Sequence, residues 1–242
     1  MKNWLSAKNS PTSVAKASPC PSMNCSRFLL MMTLACSFLS GRQLVFTQIN
    51  SAQFSSFKIE AEDGDKIAQN LVGICYYKGY GVPRDFEEAV KWWKKSAEQN
   101  FALAQYNLGN AYTAGEGVNR SSELAARWYL LAAHQGLADA QLSIGLAYKY
   151  GDGVRTDLAA SITWLRKSAD QGFALAQFHL GASYYNGEGV DSNLVEAYAW
   201  YSIASLKMTD PTMARDLLER ILDRNQISAG KKRAAELIKF IK

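Results

Sequence analysis

Histidine is nearly absent from this chain, and cysteine is absent from most of it. The 242 residues include only two histidines, His134 and His179, and neither has a second histidine or a cysteine at the spacing of metal ligands. Three of the four cysteines precede residue 50, which leaves Cys75 alone in the rest of the chain. The sequence therefore predicts no metal site, no cofactor and no catalytic constellation.

Acidic residues are absent from the first 49 positions. This leader carries five basic residues, Lys2, Lys8, Lys16, Arg27 and Arg42. They equal the formal net charge of +5 of the whole chain, so residues 50–242 are neutral overall. Because the basic character is confined to the leader, and no patch of interleaved basic and aromatic residues occurs elsewhere, we expect no nucleic-acid partner.

A hydrophobic run long enough to span a bilayer is also missing. The apolar stretch FLLMMTLACSFL at residues 28–39 has twelve residues, whereas about 20 are needed for a transmembrane helix. A run of this length behind Arg27 is typical of the core of a secretory signal peptide, so we expect export to the periplasm or the medium. Residues 1–49 are otherwise expected to be disordered.

The leader leaves three points open. Translation from Met23 would give a more usual basic lead to the apolar run, and no clean cleavage site follows it. Ala35-Cys36 resembles an incomplete lipid-attachment site. The alternative to export is a cytoplasmic protein whose start has been placed too far upstream.

The chain does contain a recurring sequence motif of fifteen residues. AQYNLGNAYTAGEGV begins at residue 104, AQLSIGLAYKYGDGV at 140 and AQFHLGASYYNGEGV at 176. A step of 36 residues relates four series of residues: Gly73, Gly109, Gly145, Gly181; Tyr76, Tyr112, Tyr148, Tyr184; Val82, Val118, Val154, Val190; and Trp92, Trp128, Trp164, Trp200. A period between about 20 and 50 residues indicates a solenoid of stacked supersecondary units.

Each unit is predicted to contain two helices. In the second unit the first helix spans about residues 103–114, and Gly115-Glu116-Gly117 supplies the positive φ angles that end it and reverse the chain. The second helix spans about residues 121–135 and closes at Gly136, for which a left-handed conformation is expected. Asn100 and Gly172 are the equivalent residues in the neighbouring units.

The repeated glycine within each first helix requires a steric explanation, since a glycine there costs about 1 kcal/mol relative to alanine. We expect it to allow a close helix crossing opposite the periodic tryptophan of a second helix, with Ala97, Ala133 and Ala169 serving the same purpose. These residues are interpreted as architecture, without a catalytic role.

The pattern A-Q-x-x-[LIV]-G-x-x-Y-x-x-G-x-G-V, followed by Ala and Trp on the next helix, resembles the Sel1-like repeat, a relative of the tetratricopeptide repeat. Four copies span about residues 65–207. The resemblance implies an all-α, right-handed α/α superhelical solenoid that binds other proteins and serves as an adaptor. A disulfide-rich branch of the family has a cysteine pair in each repeat and is linked to penicillin binding and β-lactamase-like activity, but those pairs are missing here.

Terminal helices are predicted on both sides of the repeats. Residues 50–64 form an N-terminal capping helix, because AEDG at 61–64 matches AEQN at 97–100, although Ser56 stands at the tryptophan position. Residues 208–242 form two C-terminal capping helices, the first opened by Asp210-Pro211 and the second starting near Ser228. Their apolar stripes are Ala214, Leu217, Leu218, Ile221 and Ala234, Leu237, Ile238, Ile241. We expect this basic pair to present a polar outer face, as the end of a solenoid requires.

The variable positions of the first helices define a candidate binding groove. On a helical wheel with 100° per residue, Asn70, Ile74 and Tyr77 lie about 140–200° from Val72, away from the kept side. From this stripe and its equivalents we select Tyr77, Tyr106, Asn110, Leu142, Leu146, Lys149, Phe178 and Tyr185. The alternative is that Tyr106, Leu142 and Phe178, which share one repeat position, pack against neighbouring first helices.

The sequence thus predicts a monomeric, non-enzymatic scaffold that holds a protein or peptide segment in this groove. Two alternatives stay open: an intracellular regulatory adaptor, and a hydrolase directed at peptidoglycan or β-lactams.

Overall fold

The computed structural model describes residues 49–208 and 210–241, without the side chains of residues 210 and 211. This part of the chain contains eleven helices and no strand: α1 Ser51–Glu62, α2 Lys66–Lys78, α3 Phe86–Glu98, α4 Ala102–Ala114, α5 Ser122–His134, α6 Ala138–Tyr150, α7 Leu158–Asp170, α8 Ala174–Asn186, α9 Leu194–Ala204, α10 Asp210–Glu219 and α11 Arg224–Ile238. None of these described helices is both long and apolar enough to cross a membrane. The leader, with its apolar run at residues 28–39, lies outside the described residues.

The helices stack as a solenoid of pairs, which confirms the predicted fold class. From α1 to α9 each helix packs against the next one along the chain. In the second repeat, α4 and α5 begin and end within one residue of their predicted bounds. The N-terminal helix α1 packs on α2 and buries Phe54 and Ala61.

The predicted chain reversals are confirmed by the backbone angles. Gly115 and Gly117 have φ values of 76° and 72°, and the N–H of Gly115 donates to the carbonyl of Ala111 at the end of α4. Between the repeats, Gly136 has a φ of 91°. Asn100, its equivalent, has a φ of 58° and is the one non-glycine residue with a positive φ in the described part of the chain.

The partner predicted for the repeated helix glycine was wrong by one position. A Cβ on Gly73 would lie 2.5 Å from the ring of Trp93, and a Cβ on Gly145 would lie 3.1 Å from Cγ of Leu165. Gly109 and Gly181 face Tyr129 and Tyr201 in the same way. The residue after the periodic tryptophan therefore crosses the glycine, because one residue rotates a side chain by about 100° around a helix.

The periodic tryptophans pack between repeats instead. Trp164 lies in a core cluster with Ala133 of α5, in the preceding repeat, and with Ile144 of α6 in its own repeat. Trp200 occupies the equivalent place beside Leu165 and Leu180. Each tryptophan therefore joins two units that could not bury their apolar faces alone.

The repeated glutamine forms a buried ladder that the sequence pattern did not explain. Nε2 of Gln141 donates to the carbonyl of Ala133 at 3.2 Å, and its Oε1 accepts from Nε2 of Gln171 at 2.8 Å. Gln69 and Gln105 make the same two kinds of bond. The amide supplies both a donor and an acceptor at a buried junction where an apolar residue could make neither bond.

The C-terminal helices depart from the period, and both pack against α9. Helix α11 begins four residues before the predicted Ser228, because Asp223 caps it in a reciprocal capping box with Gln226. Leu218 is buried against Tyr198 and Tyr201, but Leu217 and Ile221, predicted in the same stripe, are 50% and 55% exposed. The polar outer face expected at this end is therefore not present on α10.

Candidate functional site

The predicted groove residues lie on the first helices of the four repeats, but they differ in accessibility. Asn110 and Tyr185 are exposed and Leu142 is buried, whereas the other five are half-buried: Tyr77, Tyr106, Leu146, Lys149 and Phe178. The contacts of each residue decide whether it is free to meet a partner.

Leu142 belongs to the core, contrary to its placement in the groove. Its side chain is 6% exposed and packs in the cluster that contains Leu165 and Leu180. For Leu142, the alternative interpretation applies: the residue supports the stacking of the helices.

Tyr106 and Asn110 are held in a polar network at the second repeat. The ring of Tyr106 lies 5.7 Å from that of Tyr129, whose hydroxyl donates to Oδ1 of Asn110 at 2.8 Å. The Tyr129 hydroxyl also lies 3.0 Å from Oγ1 of Thr113. Burial raises the pKa of Tyr129 to about 12, so the hydroxyl stays protonated at neutral pH. The network orients the Asn110 amide while leaving it exposed.

Phe178 and Leu146 each have one side against the core. The ring of Phe178 lies 5.5 Å from that of Tyr201 and contacts His179 at 5.6 Å. Leu146 packs against the cluster that contains Trp200. Both residues therefore stabilise the fold and present only their remaining surface to solvent.

Tyr77 and Lys149 are tied to the loop of the following repeat. Nζ of Lys149 lies 2.7 Å from Oε2 of Glu188, and Glu116 lies close enough to Tyr77 to raise the pKa of its hydroxyl. Both acidic residues lie in a Gly-Glu-Gly loop, 39 residues after their partners. The sequence reasoning missed these acids, although the two pairs share one separation in the sequence. They link repeats and reduce what Tyr77 and Lys149 can offer to a partner.

Tyr185 occupies the position of Tyr77 and Lys149 in the last repeat, but it lacks their type of partner. The residue 39 positions later is Arg224, which opens α11 instead of belonging to an acidic loop. The Tyr185 side chain is 39% exposed and makes no hydrogen bond or ring contact within the described residues. It is therefore the predicted groove residue with the smallest structural role.

The residues with reactive side chains are placed for structure. Cys75 is fully buried, and desolvation raises the pKa of its thiol to about 11, which suppresses the reactive thiolate. His179 has its pKa lowered by burial and by the charge of Lys149. His134 is exposed and contacts the Trp164 ring edge-on at 5.1 Å. Within residues 49–208 and 210–241, no three His, Cys, Asp or Glu side chains come together in a way that could hold a metal ion.

Comparison with known proteins identifies the family of the repeats. The family model described as the Sel1 repeat matches residues 66–101, 102–137, 138–173 and 174–207. No curated protein matches the chain.

Several solved structures are similar to this chain, and two of them are identical to it at more than a quarter of the aligned positions. A Sel1 repeat protein from Oxalobacter formigenes shares 27% sequence identity with a TM-score of 0.63, over 77% of this chain and 85% of that chain. The protective antigen c5321, present in uropathogenic Escherichia coli strains, shares 29% identity with a TM-score of 0.52, over 88% of this chain and 53% of that chain. This chain therefore matches about half of the c5321 structure.

Proposed function

Because the chain belongs to the Sel1 repeat family, whose model matches residues 66–207, we propose that it is a non-enzymatic scaffold that holds a segment of another protein along its first helices. Sel1 repeat proteins generally mediate protein–protein interactions. The kept residues of this chain stack the repeats, which leaves the varied surface of the first helices to select a partner.

The observation that carries this proposal is the exposure of Tyr185. Its aromatic side chain lies on the first-helix face with no hydrogen bond or ring contact in the described part of the chain. Exposed aromatic groups that are buried on binding are typical hot spots, worth about 2 kcal/mol or more when truncated.

The proposed contact surface is smaller than the set predicted from the sequence. It keeps the exposed Asn110 and Tyr185, together with the accessible edges of Tyr106, Leu146 and Phe178. Leu142 is excluded by its burial, and Tyr77 and Lys149 act mainly by binding the loops of the next repeat.

The test compares two exposed tyrosines. Tyr185→Ser is paired with Tyr150→Ser, since Tyr150 is more exposed, at 62%, but lies outside the proposed contact surface. The intact chain and both variants serve as bait for affinity capture and mass spectrometry, with melting temperatures measured in parallel. We expect Tyr185→Ser alone to lose a specific set of proteins without a change in melting temperature. Equal capture by all three baits would reject the proposed surface.

Lack of enzymatic activity is tested directly. The purified chain should neither turn over nitrocefin nor release muropeptides from peptidoglycan, because its repeats lack the cysteine pairs of the disulfide-rich branch to which such activity is linked. Turnover that depends on the folded chain would favour the hydrolase alternative.

Export is a separate part of the proposal and depends on residues 28–39. The twelve-residue apolar run behind Arg27 has the length of a signal-peptide core, short of a membrane span. A fusion of residues 1–60 to a reporter that is active only outside the cytoplasm should be active in the native host. Retention of an inactive, stable fusion in the cytoplasm would favour the intracellular regulatory adaptor.

A further inference from the structure

The C-terminal helix α10 exposes three large apolar side chains along one side. Met213 and Leu217 on α10 and Ile221 in the following turn are 76%, 50% and 55% exposed, and we call these three residues the α10 face. The N–H of Ile221 donates to the carbonyl of Leu218 at 3.0 Å, so the turn continues the helical path. Their spacing of four residues places all three side chains on one side.

The α10 face is exposed even though the helix is firmly held. On its opposite side, Leu218 and Leu222 are buried with Tyr198 and Tyr201 of α9. The Tyr198 hydroxyl donates to Oε1 of Glu219 at 2.6 Å. Helix α10 is therefore fixed by its inner side, and its apolar arc is wider than α9 can cover.

No other described helix has a comparable face. Elsewhere large exposed apolar side chains occur singly or in pairs along a helix, as with Leu124 and Leu131 on α5. A monomeric protein rarely leaves such a contiguous stripe in water without a binding role. The residues that flank the stripe indicate what covers it.

One edge of the α10 face carries charges of both signs. Asp216 and Arg220 are exposed and lie four residues apart, so they share that edge. Asp216 is paired with Arg215 of the same chain at 2.7 Å, whereas Arg220 has no ion pair within the described residues. An acidic group of a partner could therefore pair with Arg220 at this edge.

A second copy of α10 supplies that group when the two helices run antiparallel. A twofold axis through Leu217 places Met213 of each copy against Ile221 of the other and brings the same edge of both helices together. With a rise of 1.5 Å per residue, Arg220 of one copy and Asp216 of the other differ by only about 3 Å along the axis. In this arrangement the apolar residues of the two copies meet each other, and each Arg220 lies near the Asp216 of the other copy.

From this complementarity we propose that the α10 face is an isologous interface between two copies of this chain. Residues 210–221 contain three acidic and two basic residues, so the segment lacks the cationic edge that attracts an anionic membrane. The dimer replaces the monomer expected from the sequence. Its small contact corresponds to a dissociation constant of about 1–100 µM.

The first test measures self-association of the full chain by sedimentation equilibrium over a range of concentrations that brackets the expected constant. Leu217→Gln combined with Ile221→Gln should weaken dimerisation about tenfold or more, because it removes apolar area from the contact. Leu131→Gln, an equally exposed leucine on α5, should leave association unchanged. A chain that stays monomeric, or association that persists unchanged in the double variant, overturns the proposal; the second result would assign association to another surface, including the leader.

The second test uses charge and does not depend on apolar variants. Arg220→Glu alone places a second carboxylate opposite Asp216, and Asp216→Lys alone places a second cation opposite Arg220, so each variant should dimerise weakly by itself. In a one-to-one mixture both edge contacts become attractive, and association should return to near the level of the unaltered chain. Failure of the mixture to associate, with both variants folded by circular dichroism, excludes the antiparallel α10 interface.

Discussion

The four repeats and the C-terminal helix pair are built from similar amphipathic helices, yet of the described helices only α10 leaves a stripe of three large apolar side chains exposed. In the repeats the neighbour of each helix is supplied by the next unit, as Trp164 shows by packing between α5 and α6. Helix α10 has α9 on one side and leaves Met213, Leu217 and Ile221 exposed on the other. In a periodic solenoid, the next repeat buries the apolar face of each helix. Where the repeats end, another surface must bury that face.

Within the repeats, the backbones of neighbouring units approach each other closely. In the repeats, the second loop glycine lies against the start of the preceding second helix. A Cβ on Gly153 would collide with the Ser122 carbonyl, and a Cβ on Gly117 would collide with the Phe86 carbonyl. This contact recurs from repeat to repeat and fixes the spacing of the solenoid.

The largest expected effect follows from that contact. Gly153→Ala should lower the free energy of unfolding by about 4 kcal/mol, since it combines left-handed strain with a clash against backbone. Gly136→Ala is the matched control: its φ is also positive, but an added Cβ meets nothing within 4 Å, so we expect a loss of about 1 kcal/mol. Urea denaturation measures both. Equal losses would show that the close approach does not hold the repeats together.

The next effect compares adjacent leucines on α10. Leu218→Ala should cost about 3 kcal/mol, because the side chain is buried against Tyr198 and Tyr201. Leu217→Ala should change the free energy of unfolding by less than about 0.5 kcal/mol when measured at low protein concentration. A large loss for Leu217→Ala in the monomer would mean that the α10 face is covered within one chain.

The repeats could be predicted from the sequence because the same pattern of residues occurs four times. The step of 36 residues located the helices, and glycine or asparagine at positions 100, 136 and 172 located the left-handed turns. The prediction placed Trp128 opposite Gly109, but the structure places Tyr129 there. Successive side chains on a helix differ by about 100°, so an error of one position changes which residue faces the glycine. The start of α11 was missed because it depends on the single capping pair Asp223 and Gln226, which is not repeated.

The candidate site was less predictable because a helical wheel describes one helix at a time. It placed Leu142 away from the kept side, but the stacking of α7 and α8 nearby buries that position. It also omitted Glu188, whose bond to Lys149 joins two repeats. Exposure on a solenoid is set by neighbouring units, so only the assembled repeats distinguish Tyr185 from Leu142.

The glutamine ladder gives a third, intermediate effect that is specific to the repeats. Gln141→Leu should cost about 2 kcal/mol, because the two bonds of this buried amide, to the Ala133 carbonyl and to Nε2 of Gln171, are both lost. Gln171→Leu should cost less, since Gln171 is exposed. If the ladder acts as a unit, the double variant should lose less than the two single variants added together. Strict additivity would indicate that the two amides act independently.

The smallest effect tests how far the period alone determines packing inside the repeats. Gly109 and Gly145 occupy the same repeat position, but an added Cβ on Gly109 would overlap the Tyr129 ring, whereas on Gly145 it would lie 3.1 Å from Cγ of the flexible Leu165.

Replacing a helix glycine with alanine gains up to about 1 kcal/mol of helix propensity, and overpacking costs about 1–3 kcal/mol. The cost should therefore win in Gly109→Ala, with a net loss of about 1 kcal/mol. In Gly145→Ala the two effects should nearly cancel, because Leu165 can shift by a few tenths of an ångström. Thermal unfolding of the two variants under the same conditions measures the difference, and equal melting temperatures would show that the residue opposite the glycine does not matter. A measured difference would show that the period sets the backbone, while the opposing side chain of each repeat sets how much room its glycine must leave.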